Sequence, residues 1–328
     1  MLVQFSTEEF NSRKKLDGES LSLLQGVGVC LVDLEPTQAV EYPGLLPCVV
    51  VGRLPSERMP GHSGATACDV LVTSDRDLDE ILMTIERAPQ AAVATALLLR
   101  GVENRSVEES LIAESTTYSL LQSGSEFARW KSTRLARQVI TPPDSIVLSE
   151  RTEGHLTITL NNPLRRNAYS SLMRSRLAEI LQLAVSDETV SHVSLRGAGN
   201  NFSSGGDLDE FGSFSDALSS HFSRLTSSVA LSMWSLNQRL GTSFRCDVMG
   251  ENFGAGVELA AFAGHLSAHQ NARFCLPEVS LGLVPGAGGT ASISRRIGRQ
   301  RTAWLALTGR SIDAQTALEW GLIDEISE

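Results

Sequence analysis

The sequence is sparing with the features that usually announce a function. Aromatic residues make up 5% of its 328 residues, and 28 lysines and arginines stand against 38 aspartates and glutamates, for a formal charge of -10. That balance leaves no broad basic surface for nucleic acid. The apolar stretch Ala91 to Leu99 falls far short of the roughly 20 residues a membrane-spanning helix needs. The opening segment MLVQFSTEEFNSRKK has no apolar centre of the secretory kind. Cys30, Cys48, Cys68, Cys246 and Cys275 form no Cys-x-x-Cys or Cys/His metal pattern. They read as reduced core thiols of a cytoplasmic protein. Common site motifs are missing too. The Gly286-Ala287-Gly288-Gly289 run lacks the Lys-Ser/Thr of a phosphate loop, Gly26-Val27-Gly28 lacks the third glycine of a dinucleotide turn, and neither HExxH nor GxSxG occurs.

What remains is a globular composition, 42% hydrophobic and 20% charged, long enough for two ordinary domains or one large one. The acidic excess lies mainly in the first 145 residues. Thr141-Pro142-Pro143-Asp144 marks a boundary, because paired prolines favour extended linker backbone. The division is therefore 1–145 and 146–328. In the first part, Val27 to Val32, Cys48 to Val51 and Val70 to Val72 have strand character, punctuated by Pro43, Gly44, Pro47, Pro55, Pro60 and Gly61. Ser74 to Asp77 caps a helix from about Leu78, interrupted by Pro89. Ser106-Val107-Glu108-Glu109 is a capping box opening a second helix through Leu111, Glu114, Tyr118 and Leu121, ended by Gly124.

The second part alternates strand and helix patterns. His155 to Leu160, His192 to Leu195 and Cys246 to Met249 read as strands, and Ser170 to Val185 as a helix. This predicts an α/β fold with crossover connections. Two glycine-bearing turns follow strands: Phe202 to Leu208, and Gly250 to Ala260, which runs into a helix. Small residues let a ligand approach the backbone, and helix-start amides point outward with partial positive charge. Glu258 and Glu278 stand in apolar surroundings, where a carboxylate must offset its desolvation. His265 and His269 lie four residues apart but have no third ligand, and read as surface or hinge positions. Trp234 and Phe253 read as core or pocket wall, and the stretch Phe211 to Asn237 as pocket-shaping loops.

From about His155 to Ile326 the chain resembles the crotonase superfamily, the enoyl-CoA hydratase/isomerase family. The resemblance rests on five ordered pieces: Gly205-Gly206-Asp207, Gly254 to Ala260, Arg273 to Glu278, Leu283 to Thr290, and Leu307-Thr308-Gly309 with Gly321-Leu322-Ile323. It implies a ββα spiral core that binds acyl-CoA thioesters, preceded by an N-terminal α/β and helical extension. The amides of Gly206 and Ala255 would hold the thioester oxygen, with alanine where the family usually has glycine. Arg165, Arg166, Ala168, Ser204, Gly205, Asp207, Leu208, Asp209, Gly254, Pro285 and Gly286 would contact CoA and acyl chain. Glu258 would activate water and Glu278 would move the α-carbon proton. The implied reaction is hydration of a 2-enoyl-CoA. An isomerase, a thioester hydrolase and a non-catalytic acyl-CoA-binding or assembly protein are the alternatives. No metal, and no cofactor beyond the CoA moiety, is implied. The family's C-terminal helical tail closes the site and builds trimers. Residues about 76–135 are expected to do that work here, as a permuted tail, giving a trimer or dimer of trimers; an unrelated regulatory domain is the alternative.

Overall fold

The computed structural model describes residues 2–12, 20–35, 38–40, 45–55, 65–135, 141–213 and 216–327. Pro43, Gly44, Pro60 and Gly61, expected as punctuation, lie outside the described residues. The chain opens with strand β1 (Leu2–Ser6), which its polar lead did not predict, and helix α1 (Thr7–Ser12). The expected strands follow as β2 (Val29–Asp33), β3 (Val49–Arg53) and β4 (Val70–Val72). All run parallel in the order β1-β2-β3-β4. Both faces of this sheet are covered, which is why its strands read as unbroken apolar runs. Cys30, Val32, Cys48 and Val50 face a cluster closed by Phe5, Phe10 and loop residues. Val29, Leu31, Val49 and Val51 face the opposite way, into the main core.

Two helices cover that second face. α2 (Asp75–Arg87) is capped by Ser74, whose side chain accepts from the Asp77 N–H. Pro89 opens α3 (Pro89–Arg100) instead of breaking a longer helix, since a first-turn N–H has no partner to lose. The capping box forms with both bonds: the Glu109 N–H donates to Ser106 Oγ at 3.1 Å, and the Ser106 N–H to Glu109 Oε2 at 2.8 Å. It starts α4 (Val107–Gln122), and α5 (Ser125–Ser132) follows after Gly124.

The second half contains β5 (Val147–Thr152), β6 (His155–Leu160), α6 (Ser171–Ser186), β7 (His192–Gly197), α7 (Ala217–Thr226) and α8 (Val229–Leu240). Then come β8 (Phe244–Val248), β9 (Glu251–Phe253), α9 (Ala255–Ala260), β10 (His265–His269) and β11 (Arg273–Cys275). α10 (Gly289–Thr308), β12 (Ile312–Asp313), α11 (Ala314–Trp320) and β13 (Glu325–Ser327) complete it. One sheet has the order β13-β10-β8-β7-β6-β5, parallel except for the β5–β6 pair. A smaller sheet has the order β12-β11-β9.

Three expectations are corrected. The stretch 211–237 is mostly the helices α7 and α8 rather than loops. The second glycine turn is split by β9, so the turn proper is Gly254. His265 and His269, expected at surface or hinge positions, are the half-buried ends of strand β10, roughly 13 Å apart by strand rise.

One apolar core runs through both halves, from Val29 through Ile81, Ala96 and Leu111 to Val257, Ile293 and Leu322. Polar bonds reinforce the union. Gln300 on α10 donates to Ala65 O at 2.8 Å, and Arg310 pairs with Asp77 at 2.9 Å. Within the first half, Arg100 at the end of α3 holds the buried Asp69 in a two-pronged contact of 2.7 and 2.6 Å. It also donates to the carbonyls of Leu46 and Cys48. All five cysteines are buried and unbridged, as expected of core thiols. Among the described residues no helix is long and apolar enough to cross a membrane.

Removing one member of a buried pair strands the other charge. Arg100→Met is expected to cost about 3 kcal/mol in denaturant unfolding, at the low end for such pairs, because Arg299 remains 3.9 Å from Asp69. An unchanged midpoint would contradict this reading of the pair.

Candidate active site

Two cavities meet near the turn at Gly206. The first, about 280 Å³, lies among α4, α6, α7, α9 and the glycine-rich turn before α10. The second, about 560 Å³, is lined by Leu164 to Arg166, Ala168, the 204–208 turn, Gly254 and Leu281. Gly206, Asp207, Phe211 and Glu278 line both.

The two glycine turns lie against each other. Gly205 has φ +93, and a Cβ there would stand 2.5 Å from Phe253 O and 3.7 Å from Ala255 N, so only glycine fits. The turn is pinned to the 166–169 segment: the Tyr169 N–H donates to Gly205 O at 2.7 Å and the Asp207 N–H to Tyr169 O at 3.1 Å. Ala255 is the first residue of α9, so its N–H has no partner inside the helix.

Glu258 projects from α9 and is buried. Its Oε2 accepts the N–H of Ala287 at 2.7 Å and of Gly289 at 2.8 Å. A Cβ on Gly289 would stand 2.5 Å from Glu258 Cγ, which keeps that position glycine. Glu278 opens a short 3-10 turn after Pro277. It too is buried, and its Oε2 has no hydrogen-bond partner among the described residues.

A third carboxyl enters from the first half of the chain. Glu114 on α4 is buried. Its Oε1 accepts the Gly288 N–H at 2.6 Å, and its Oε2 accepts the Thr290 N–H at 2.9 Å and the Thr290 hydroxyl at 2.6 Å. Glu258 and Glu114 thus take alternate amides of the same turn, at the positive end of α10. Tyr118, one turn further along α4, lies against Gly286. Sequence reasoning did not assign Glu114 a role. The signal was present, since Glu114 stands on the apolar stripe Leu111, Tyr118, Leu121, a place for a core residue and not a solvated charge.

The structure brings most of the expected residues together. Glu258, Glu278, Gly206, Ala255 and Gly286 line the first cavity. Arg165, Arg166, Ala168, Ser204, Gly205, Asp207, Leu208 and Gly254 line the second. Two lie apart from both. Pro285 is buried, as the rigid lead into the glycine turn. Asp209 is held by Arg134 at 2.9 Å and Arg165 at 2.8 Å. Arg165 also pairs with Asp207 at 2.6 Å, and Arg166 with Glu251 at 2.6 Å. Both arginines expected to be open for CoA phosphates are therefore already paired with carboxylates. Phe253 lines the second cavity, whereas Trp234 lines neither and packs under Arg295.

Three carboxyls in one water-poor cavity resist being charged together. Burial lifts Glu114 to about 8, the neighbouring Glu258 adds to the shift, and the bonds from Thr290 and Gly288 oppose it. Burial lifts Glu258 to about 7 against the amides of the turn. Glu278 is pushed well above its ordinary value by burial and then by Glu258. Such a cluster can hold and pass protons near neutrality.

The fold is that of the crotonase superfamily. A family model described as Enoyl-CoA hydratase/isomerase matches residues 150–328. The 2,3-dehydroadipyl-CoA hydratase of Escherichia coli is 33% identical over 182 residues, 56% of this chain and 69% of that protein. The 1,2-epoxyphenylacetyl-CoA isomerase of Escherichia coli is 34% identical over 188 residues, 55% of this chain and 69% of that protein. A putative enoyl-CoA hydratase from Thermobifida fusca, solved with acetoacetyl-CoA, is 27% identical at a TM-score of 0.50, covering 56% of this chain and 73% of that one. The chain belongs to the enoyl-CoA hydratase/isomerase family. Glu114 and Tyr118 lie outside the residues that the family model matches.

Each of the three carboxyls binds its proton more tightly in the folded chain than in the unfolded one. Their contribution to stability is complete below the ordinary value of 4.5 and is lost as pH rises through their raised native values, about 7 for Glu258 and 8 for Glu114. The melting temperature is expected to fall between about pH 5.5 and pH 8.5, and Glu114→Gln to shrink that fall. A flat or rising profile would contradict the assignment.

Proposed function

We propose that the chain hydrates a 2-enoyl-CoA thioester to the 3-hydroxyacyl-CoA. The observation that carries this reading is the pair Glu258 and Glu278, two buried carboxyls on one cavity wall beside the amides of Gly206 and Ala255. In this reading the CoA lies in the larger cavity, the thioester at the junction and the acyl group in the smaller cavity. The Gly206 and Ala255 amides receive the negative charge that builds on the thioester oxygen as water attacks. Glu258, held rigidly by the turn amides, takes a proton from the attacking water. The water oxygen bonds to the β-carbon, and the C=C electrons move to the α-carbon and thioester oxygen. Glu278 enters protonated and delivers its proton to the α-carbon. The proton gained by Glu258 then returns to Glu278, so water is added with no net change in the enzyme. Residues about 76–135 have the task of closing this site as a permuted tail, a reading supported within α4 by Glu114 and Tyr118 on the cavity wall.

Double-bond isomerisation is the second reading. It is favoured by the two amide bonds that occupy Glu258 Oε2, against the unbonded Oε2 of Glu278. A single carboxyl suffices to move a proton between carbons. Offering 2-enoyl-CoA and 3-enoyl-CoA separately, and following the enoyl-thioester absorbance, distinguishes the two. Hydration consumes the first, whereas isomerisation creates the absorbance from the second.

In the hydratase reading, Glu258→Gln and Glu278→Gln each lower kcat by about 10²–10⁴-fold while thioester binding survives. The double variant falls little below the worse single one, because the pair acts as a unit. Near wild-type turnover in either single variant would remove that residue from the mechanism.

Ala255→Pro tests the amide directly. Proline is tolerated at the first helical position and removes only the N–H. The expected loss is about 10²–10³-fold in kcat with the fold intact. A folded Ala255→Pro protein with unchanged kcat would show that this amide does not meet the reacting oxygen.

A further inference from the structure

The smaller cavity carries more positive charge than a hydrocarbon acyl chain needs. Arg174 on α6 and Arg224 on α7 both line it, and neither lines the larger cavity or the junction. Arg224 is bound by neutral groups. Its Nε donates to Ser115 Oγ at 3.0 Å, one terminal nitrogen to Ser220 Oγ at 2.7 Å, and the other to Ser115 O at 3.1 Å and to Ser119 Oγ. Its guanidinium lies 4.6 Å over the Tyr118 ring. Arg174 donates to Ser223 Oγ at 2.8 Å, and its Nε is buried with no partner.

Neither arginine has a carboxylate partner among the described residues. Four of the acids that share the cavity are otherwise engaged, and the fifth, Glu278, forms no ion pair with either arginine among the described residues. Glu210 accepts from the Ser171 N–H and hydroxyl, Asp207 is paired with Arg165, and Glu114 and Glu258 grip the glycine turn. Glu114 is the one carboxyl that acts on Arg224 through its charge, and burial keeps Glu114 protonated below about pH 8. Burial lowers the Arg224 guanidinium from its ordinary value; the like charge of Arg174 adds to this, while Tyr118 and Glu114 oppose it. Two guanidiniums that face one small space and repel each other are costly unless an anion joins them. Four of the five Arg224 N–H groups are taken, which leaves one terminal N–H for a charge-assisted bond to a carboxylate.

We propose that the acyl group taken by this site ends in a carboxylate held by Arg174 and Arg224, so that the substrate is the CoA thioester of a dicarboxylic acid. The proposal rests on the acyl-CoA reading of the two cavities. A volume of about 280 Å³ is at the small end for ligand pockets and selects a short acyl group. Arg224 is positioned by three serines and Tyr118, and two of those serines and the tyrosine belong to α4. The first half of the chain therefore helps to position one of the two arginines.

The test is equilibrium binding by calorimetry. Saturated carboxyl-ended thioesters, succinyl-CoA through suberyl-CoA, are each compared with the methyl-ended acyl-CoA of the same length. At the best length the wild-type protein is expected to bind the carboxyl-ended thioester about 10- to 100-fold more tightly, the value of a charged hydrogen-bonded contact. In Arg174→Gln and in Arg224→Gln that ratio collapses towards one. The proposal is overturned if no carboxyl-ended member outbinds its methyl-ended counterpart on the wild-type protein. That comparison needs no variant to fold. It is also overturned if folded variants keep the full ratio, or if no thioester binds. Turnover is read separately on the matching 2-enoyl thioesters. A binding preference without hydration supports the carboxylate site and removes the hydratase reading. Hydration of methyl-ended substrates without any binding preference does the reverse.

Discussion

The glycine-rich turn before α10 is the constraint on which the site depends. Its amides cannot all be satisfied inside the helix they open, and they are buried. Two carboxyls take them in alternation. Glu258 holds Ala287 and Gly289, while Glu114 holds Gly288 and Thr290. Glu258 comes from the half of the chain that matches the family, and Glu114 from the half that does not. The same bonds fix the orientation of Glu258, set its distance from Glu278 and attach α4 to the wall of the acyl cavity. Because the amides favour charge and burial opposes it, the carboxyls are poised near neutrality instead of being fixed in one state.

That arrangement makes the two halves one functional body. A single apolar core crosses between them. Arg299, Gln300 and Arg310 add polar ties from α10 and the segment beyond it to the first half. The cavity accordingly has walls of different character. Glycine turns and the carboxyls Glu258 and Glu278 of the second half line it. Serines, Tyr118 and two arginines line it as well, with α4 supplying Ser115 and Tyr118.

Much of this was legible in the residues. Alternation marked β6, and capping chemistry marked the starts of α2 and α4, because these signals are local. The ordered glycine and Pro-Glu pieces pointed to the place where Glu258, Glu278, Gly206 and Ala255 meet. What the sequence hid was long-range. β1 is short and half exposed, so its composition carries little strand signal. The 211–237 segment is rich in serine, which reads as loop, yet packing against α4 and α6 makes it helical. Arg174 and Arg224 look like ordinary surface arginines until α6 and α7 bring them to one cavity. Arg165 and Arg166 look open until the turn at Asp207 and the strand at Glu251 supply their partners. Glu114 was visible as a charge on an apolar stripe, but its partners lie more than a hundred residues downstream.

The central claim is that Glu114 and Glu258 together hold the turn that assembles the site. Residue-resolved amide hydrogen exchange measures it most directly. In the wild-type protein the amides of Ala287, Gly288, Gly289 and Thr290 are expected to be protected. In Glu114→Ala, Gly288 and Thr290 lose protection by about 10-fold or more, the value of a charge-assisted bond, while amides in the core of β7 keep theirs. Unchanged protection of Gly288 and Thr290 in that variant would contradict the account.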